Sequence, residues 1–289
     1  MNSTTRREFL VQSVAAGTAL TLGAPLLNQQ ALAASKMKLG LVTYLWGQDW
    51  NLPTLLKNCE KAGVLGVELR TQHAHGVYPS INAKERAEVK RMFADSPVEY
   101  VGQGSNQNYD SPDPAELKAK IEGTKAFLQL SHDTGGSGLK VKPNSFHEGV
   151  EHAKTIEQIG KSLNIVGKYA ADLGQKIRLE VHGQCSPLPI IKQIMDIADH
   201  PNVGVCWNSN DVDLKGDGLE HNFNLVKDRF ADTVHVRELN VGAYPYEQLM
   251  GLFKGMNYDG WILLECRTKP ADRIAAMIEQ RKIFEEWTA

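Results

Sequence analysis

The sequence predicts an α/β fold, a single (β/α)8 TIM barrel, from three observations. Eight short apolar runs recur at roughly 25–35 residue spacing, each is followed by a stretch of helical periodicity, and no break in composition divides the series. Strands that alternate with helices build parallel βαβ units, and eight of them close a barrel.

The units follow in order. Strand Lys38–Leu45 leads to helix Pro53–Ala62, which Gly63 stops. Strand Gly66–Arg70 leads to helix Ala83–Phe93. Strand Glu99–Gly102 is followed by a polar loop, Gly102–Pro112, and by helix Pro114–Leu130, which Asp113-Pro114 opens. Strand Gly138–Lys142 precedes helix Thr155–Leu173, ended by Gly174, and strand Ile177–His182 precedes helix Leu188–Ile197. Strand Gly204–Asn208 leads through a second polar loop, Asn208–Gly218, to helix Leu219–Phe230. Strand Thr233–Glu238 pairs with helix Tyr246–Met256, and strand Trp261–Arg267 with helix Ala271–Trp287. A doubly wound nucleotide-binding sheet also alternates in this way. Its glycine fingerprint should follow the first strand, where Tyr44-Leu45-Trp46-Gly47-Gln48 offers one glycine, and Gly102-Gln103-Gly104-Ser105-Asn106-Gln107 ends in glutamine.

Composition narrows the function classes. The chain has 289 residues with 32 Lys+Arg against 34 Asp+Glu, a balance unsuited to neutralising a nucleic-acid backbone. Cys59, Cys185, Cys206 and Cys266 form no CxxC pair, so neither a zinc knuckle nor a dithiol redox motif is expected, and Cys206 and Cys266 read as packing residues.

Residues 1–33 read as an export leader. Arg6-Arg7 precede Phe9-Leu10, an apolar small-residue stretch runs from Val11 to Leu27, and Ala31-Leu32-Ala33 forms an Ala-x-Ala exit. The paired arginines resemble a twin-arginine signal, which implies transit of folded cargo through the twin-arginine translocase to the periplasm. No span of about 20 apolar residues exists, so no stable membrane association is expected after cleavage. Removal of the leader leaves residues 34–289, a length suited to one barrel.

Residues two apart on a strand share a direction. The strand ends then send Glu68 and Arg70, Lys140 and Lys142, Arg178, Glu180 and His182, Cys206 and Asn208, His235 and Arg237, and Glu265 and Arg267 into one interior. The opposite parity is mostly Val, Leu, Ile or Trp, as helix packing requires. Unpaired buried charges cost several kcal/mol each, so this concentration points to a polar cavity for a polyhydroxylated or anionic ligand. Two carboxylates, an imidazole and an amide suit a hard or borderline divalent ion.

The motifs Leu179-Glu180-Val181-His182, Val205-Cys206-Trp207-Asn208, Val234-His235-Val236-Arg237-Glu238 and Leu264-Glu265 resemble the xylose isomerase-like TIM barrels, the sugar phosphate isomerase/epimerase-like family. Leu39–Tyr44 and Gly66-Val67-Glu68-Leu69 are similar too, and the resemblance covers residues 37–287. It implies one divalent metal ion, Mn²⁺ favoured with Mg²⁺, Co²⁺ or Zn²⁺ as alternatives, on Glu180, Asn208, His235 and Glu265. Asn208 stands where the family usually has Asp, and Asp211 stands where it often has His, which leaves that ligand open between them. The resemblance further implies acid/base roles for Glu180 and Glu265, with His182 and Arg237 orienting or polarising the substrate. Lys140, Lys142, Arg267, Glu68, His75, Trp46 and Asp211 are expected to contact a small-molecule carbohydrate, with Trp46, Trp50, Tyr78 and Tyr109 as candidate stacking faces.

The implied activity is isomerisation or epimerisation by proton abstraction beside a carbonyl. Export favours a free sugar over a phosphorylated one. The same proton abstraction also permits elimination from a 3-keto-glycoside, and the amide at Asn208 leaves open a sugar-binding protein without catalysis. A DNA-repair endonuclease on the same barrel is opposed by the acidic balance and by the leader.

Overall fold

A computed structural model describes residues 35–289, so the leader lies outside the described residues. The strands are β1 Lys38–Val42, β2 Gly66–Arg70, β3 Glu99–Asn108, β4 Gly138–Lys142, β5 Lys176–Glu180, β6 Val203–Cys206, β7 Thr233–Val236 and β8 Trp261–Leu264. The helices are α1 Leu52–Ala62, α2 Ala83–Ala94, α3 Pro114–Thr134, α4 His152–Asp172, α5 Leu188–Ile197, α6 Gly218–Val226, α7 Tyr246–Gly255 and α8 Arg273–Thr288. All eight strands form one parallel sheet in the order β6-β5-β4-β3-β2-β1-β8-β7. The seam between β6 and β7 is held by a few bonds, Ala231 N to Val205 O at 2.8 Å, His235 N to Trp207 O at 2.7 Å and Ser209 N to His235 O at 3.1 Å. The barrel is thus nearly closed. No described helix is long and apolar enough to cross a membrane.

Local chemistry sets the helix ends. Asn51, Asn82, Asp113 and Asp272 each accept backbone N–H groups of the first turn of the helix they precede. Gly63 and Gly135 close α1 and α3 in the left-handed conformation. The outward strand residues pack with the helices in one large apolar core that includes Leu41, Leu69, Leu139, Leu179, Val205 and Ile262.

Strand β3 runs six residues beyond its expected end, through half of the polar loop proposed to follow it. Polar side chains continue it because neighbouring groups satisfy them. Gln103 donates to the Tyr100 hydroxyl at 2.6 Å and Ser105 Oγ to Lys140 O at 2.8 Å. Its pairing shifts register on both sides, a bulged geometry. Conversely, β1 and β5 to β8 stop two or three residues early, so His182, Asn208, Arg237 and Glu265 stand on the loops just past the sheet.

The barrel interior has two levels. At the lower one, Arg178 is fully buried and donates to Asp232 at 2.8 and 3.1 Å, to Ser137 Oγ at 2.7 Å and to Val101 O at 3.1 Å. Glycines make room for this long side chain. A Cβ on Gly102 would lie 2.8 Å from Arg178 Nη1 and 2.3 Å from Gly138 O, and its φ of +146° is one that L side chains rarely adopt. Beside it, Val42, Val101, Trp261 and Leu263 form a small separate apolar cluster. Glu180 lies one interior step beyond Arg178 on β5, toward the carboxyl end, where it meets Lys140 and His235.

Removing the charge at Asp232 leaves Arg178 buried without its counterion. Asp232→Asn is expected to cost about 3 kcal/mol in urea unfolding. Burial opposes ionisation of Asp232, yet Arg178 pulls its pKa down to about 2. Its contribution to stability is therefore complete above the ordinary value of 3.8 and lost as pH falls through about 2. The variant should show a flatter stability profile across that window; an unchanged profile refutes the assignment.

Candidate metal and active site

Three strand ends converge at the carboxyl mouth. Glu180 ends β5, His235 lies within β7, and Glu265 follows β8. Each is buried, and they offer donor atoms that all lie within 4.8 Å of one another. Asn208 adjoins them, since an isolated bridge pairs it with His235.

The Glu180 carboxylate is held at both oxygens. Oε2 receives the Lys140 ammonium at 2.7 Å, and Oε1 receives the Asn208 amide at 2.7 Å. Burial opposes its charge, but Lys140 and His235 outweigh that and hold its pKa well below the carboxylate range. Burial likewise opposes the Lys140 charge, and Glu180, Glu68 and Glu265 keep its pKa raised. Lys140 also donates to Ser105 O at 3.3 Å, which ties β3 to the pair.

His235 is fully buried, with Nε2 3.3 and 3.4 Å from the two Glu68 oxygens. That bond assigns a proton to Nε2 and leaves Nδ1, 3.8 Å from Glu180 Oε1, with no hydrogen-bond partner. Burial disfavours the imidazolium, but Cys206, Glu68 and Glu180 raise the ring's pKa well above its ordinary value. A divalent ion and this second proton therefore compete for Nδ1.

The donor set fits such an ion. Two carboxylates, an unpartnered imidazole nitrogen and an adjoining amide suit Mn²⁺-like hard or borderline cations. Glu68 would then serve as the outer carboxylate that orients His235 as a ligand.

Lys142, half-buried His182 and Arg70 stand nearest the mouth. Burial and the neighbouring Lys140 and Arg70 pull Lys142 down to about 8 against Glu180 and Glu265. Burial also lowers His182, whose Nδ1 is buried without a partner. Arg237 has a buried Nε without a partner, and Arg267 is exposed.

Two sequence expectations are corrected, at His75 and Trp46, and the structure also places Glu68 and Asp211. Glu68 is fully buried against His235. His75 is a structural ring, its Nε2 on Arg70 O at 2.8 Å and its Nδ1 accepting from Val77 N at 3.0 Å. Trp46 is 2% exposed in the core, with its indole N–H on Thr268 O, and has no free face for a sugar. Asp211 is exposed at the start of a 3-10 turn and is not in the Glu180–His235–Glu265 group. Trp50 and Tyr109 are also core residues, and the Tyr78 hydroxyl is spent on His73 O. Glu238 is buried and accepts from Arg267 N, Thr268 N and Thr268 Oγ1, fixing the loop beyond β8.

The sequence reading missed a network behind Asn208. Asn210 Nδ2 donates to Asn208 O at 2.5 Å and to Val181 O at 3.1 Å. Asp213 accepts from Asn210 N at 2.8 Å and from the Tyr244 hydroxyl at 2.9 Å, and Trp207 Nε1 donates to Tyr244. Burial pushes Asp213 up to about 7. The Asn210-x-x-Asp213 spacing, a capping box, was the available signal.

The model of the xylose isomerase-like TIM barrel family matches residues 56–287. The chain belongs to that family. No curated protein matches the sequence. Among solved structures, the 3-keto-D-glucoside 4-epimerase of E. coli superposes with a TM-score of 0.73 at 14% identity, covering 86% of this chain and 99% of that one. The D-allulose 3-epimerase of Methylomonas sp. superposes with a TM-score of 0.72 at 17% identity, over 88% and 98% of the two chains. The IolI protein, solved with a bound zinc atom, superposes with a TM-score of 0.73 at 16% identity, over 87% and 98%. At such identities the likeness is one of fold.

Removing the Glu68 carboxylate frees the His235 ring. Glu68→Ala is expected to weaken Mn²⁺ binding, read by calorimetric titration, about 10–100-fold. Affinity within twofold of the parent would show that Glu68 does not orient a ligand.

Proposed function

We propose that the protein is an exported, divalent-metal-dependent sugar isomerase or epimerase that abstracts a proton beside the carbonyl of a free, non-phosphorylated sugar. The carrying observation is the pair of buried carboxylates, Glu180 and Glu265, gathered with His235 within 4.8 Å. The epimerase neighbours support the class, and the leader at residues 1–33 supports export by the twin-arginine route.

Glu180, His235 and Glu265 would hold the ion, with Asn208 contributing its amide oxygen. When bound, the ion polarises the carbonyl and acidifies the neighbouring C–H. Glu180 is fixed and ionised by Lys140 and Asn208, which suits a ligand. Glu265 receives no side-chain hydrogen bond among the described residues, which makes it the freer carboxylate to take up the proton. Return of a proton through Glu180 would draw on the Lys140 ammonium bonded to its Oε2, and His182 and Arg237 orient the sugar oxygens.

Solvent-deuterium exchange into ketoses and 3-keto sugars tests the step. Manganese-loaded protein should incorporate label beside the carbonyl, and chelation should stop it. Glu265→Gln and Glu180→Gln should each slow exchange at least about 100-fold. Full exchange in either variant refutes that residue's role, and release of an aglycone without return of label would make the protein a lyase.

A further inference from the structure

Two cations at the mouth have no acidic partner among the described residues. Lys140 is matched by Glu180, and Glu68 is engaged by His235. Lys142 and Arg70 enter no ion pair among the described residues. Lys142 is only 8% exposed, and its ammonium meets no hydrogen-bond acceptor there. The Arg70 Nε is buried and unpartnered, while its Nη2 reaches only Asn106 Oδ1 at 3.4 Å and its plane lies over Tyr44. The unpartnered Nδ1 of His182 adds a third open site. Arg70 ends β2, Lys142 ends β4 and His182 follows β5, so all three stand at the carboxyl mouth.

Strand register sets their spacing. Arg70 on β2 pairs with Gly104 on β3, and Gly104 pairs with Lys140 on β4, with Lys142 one interior step further toward the mouth. The middle position of this row carries no side chain of its own and the Glu68 carboxylate lies over it, so Arg70 and Lys140 stand two strand spacings apart, about 10 Å. A Cβ on Gly104 would lie 2.6 Å from Glu68 Oε1, so the glycine also protects the His235 support. Lys140 answers Glu180 and a bound dication would answer Glu265, so the positive charge left without a counterion would stand at Lys142 and Arg70. A ligand of opposite sign is favoured beside charge that the protein leaves unmatched.

We propose that the substrate is a sugar acid whose carboxylate sits between Lys142 and Arg70 while its carbonyl end faces Glu180 and Glu265. This rests on the sugar-directed reading above and names the class within it. A carboxylate matches the planar, forked donors of Arg70. A phosphate is disfavoured because barrels bind it at the loops after strands seven and eight, on a helix N-terminus. Here the first N–H groups of α8, those of Ile274 and Ala275, are already taken by Asp272 Oδ1 at 2.9 and 3.0 Å.

Calorimetric titration of the manganese-loaded protein with matched probes tests this. D-glucuronate and D-galacturonate should bind at least tenfold tighter than D-glucose and D-galactose, and tighter than glucose 6-phosphate. Lys142→Met should lose at least tenfold toward the uronates, and at least tenfold more than it loses toward the neutral sugars. Lys142→Arg should recover most of the loss. Equal affinity for uronates and neutral sugars, or tightest binding of the phosphate, overturns the sugar-acid assignment and leaves the isomerase reading standing if neutral ketoses still exchange deuterium. Absence of binding by every sugar, together with absence of exchange, defeats both.

Discussion

The buried contact between Lys140 and Glu180, 2.7 Å long, is the interaction on which the site depends. Neither charge is tolerable alone inside the barrel, and removing one partner from such a pair costs about 3–5 kcal/mol. Their strands are neighbours, with Lys140 registered against Arg178 and Val141 against Leu179. The pair also reaches β3, because Lys140 donates to Ser105 O while Ser105 Oγ donates back to Lys140 O. That reciprocal bond extends β3 past its apolar segment and carries the sheet up to the mouth. A polar pair required by chemistry thus becomes part of the scaffold.

Glycine placement makes such an interior possible. Arg178, Glu68 and Trp261 are long or bulky, and each lies against a glycine, on the next strand for Glu68 and on the next but one for Arg178 and Trp261. Cβ atoms on Gly66, Gly102 and Gly104 would meet Trp261, Arg178 and Glu68 at 2.3, 2.8 and 2.6 Å. The lower level is closed by Arg178 and Asp232 as a matched pair, and the small Val42–Leu263 cluster keeps it partly dry. Charge that needs a ligand is confined to the upper level. The separation lets the mouth vary its chemistry without disturbing the plug beneath it.

Strand starts, helix order and the inward parity of Glu180, His235 and Glu265 were legible in the sequence because each follows from a period or a cap. Strand ends were less so, since His182, Asn208, Arg237 and Glu265 sit where pairing gives way to loops. The extension of β3 was invisible because Gln103 and Ser105 are strand residues only through partners distant in sequence. Glu68 and His75 show the other limit. Both carry chemistry and both lie near the mouth, but only the fold reveals that one supports His235 and the other ties a loop. The Gly102-Gln103-Gly104 segment fails as a nucleotide fingerprint, and its glycines answer to the bulk of Arg178 and Glu68.

The amide at Asn208 follows from the same electrostatics. Its Nδ2 lies 2.7 Å from Glu180 Oε1, where a second carboxylate would repel an ionised neighbour already buried. The amide replaces that repulsion with a hydrogen bond and gives up one negative charge toward a cation. Lys140 shifts the balance further the same way, so the cluster would hold a dication with less opposing charge than two carboxylates and an aspartate would supply. An ion held by fewer anionic ligands keeps more of its charge for the substrate carbonyl, which strengthens its action as a Lewis acid. The deficit in holding power falls to position, and Asn210 supplies it by bonding Asn208 O from a turn that Asp213 and Tyr244 hold in place. Weaker electrostatic grip and tighter mechanical support are, in this barrel, two parts of one arrangement.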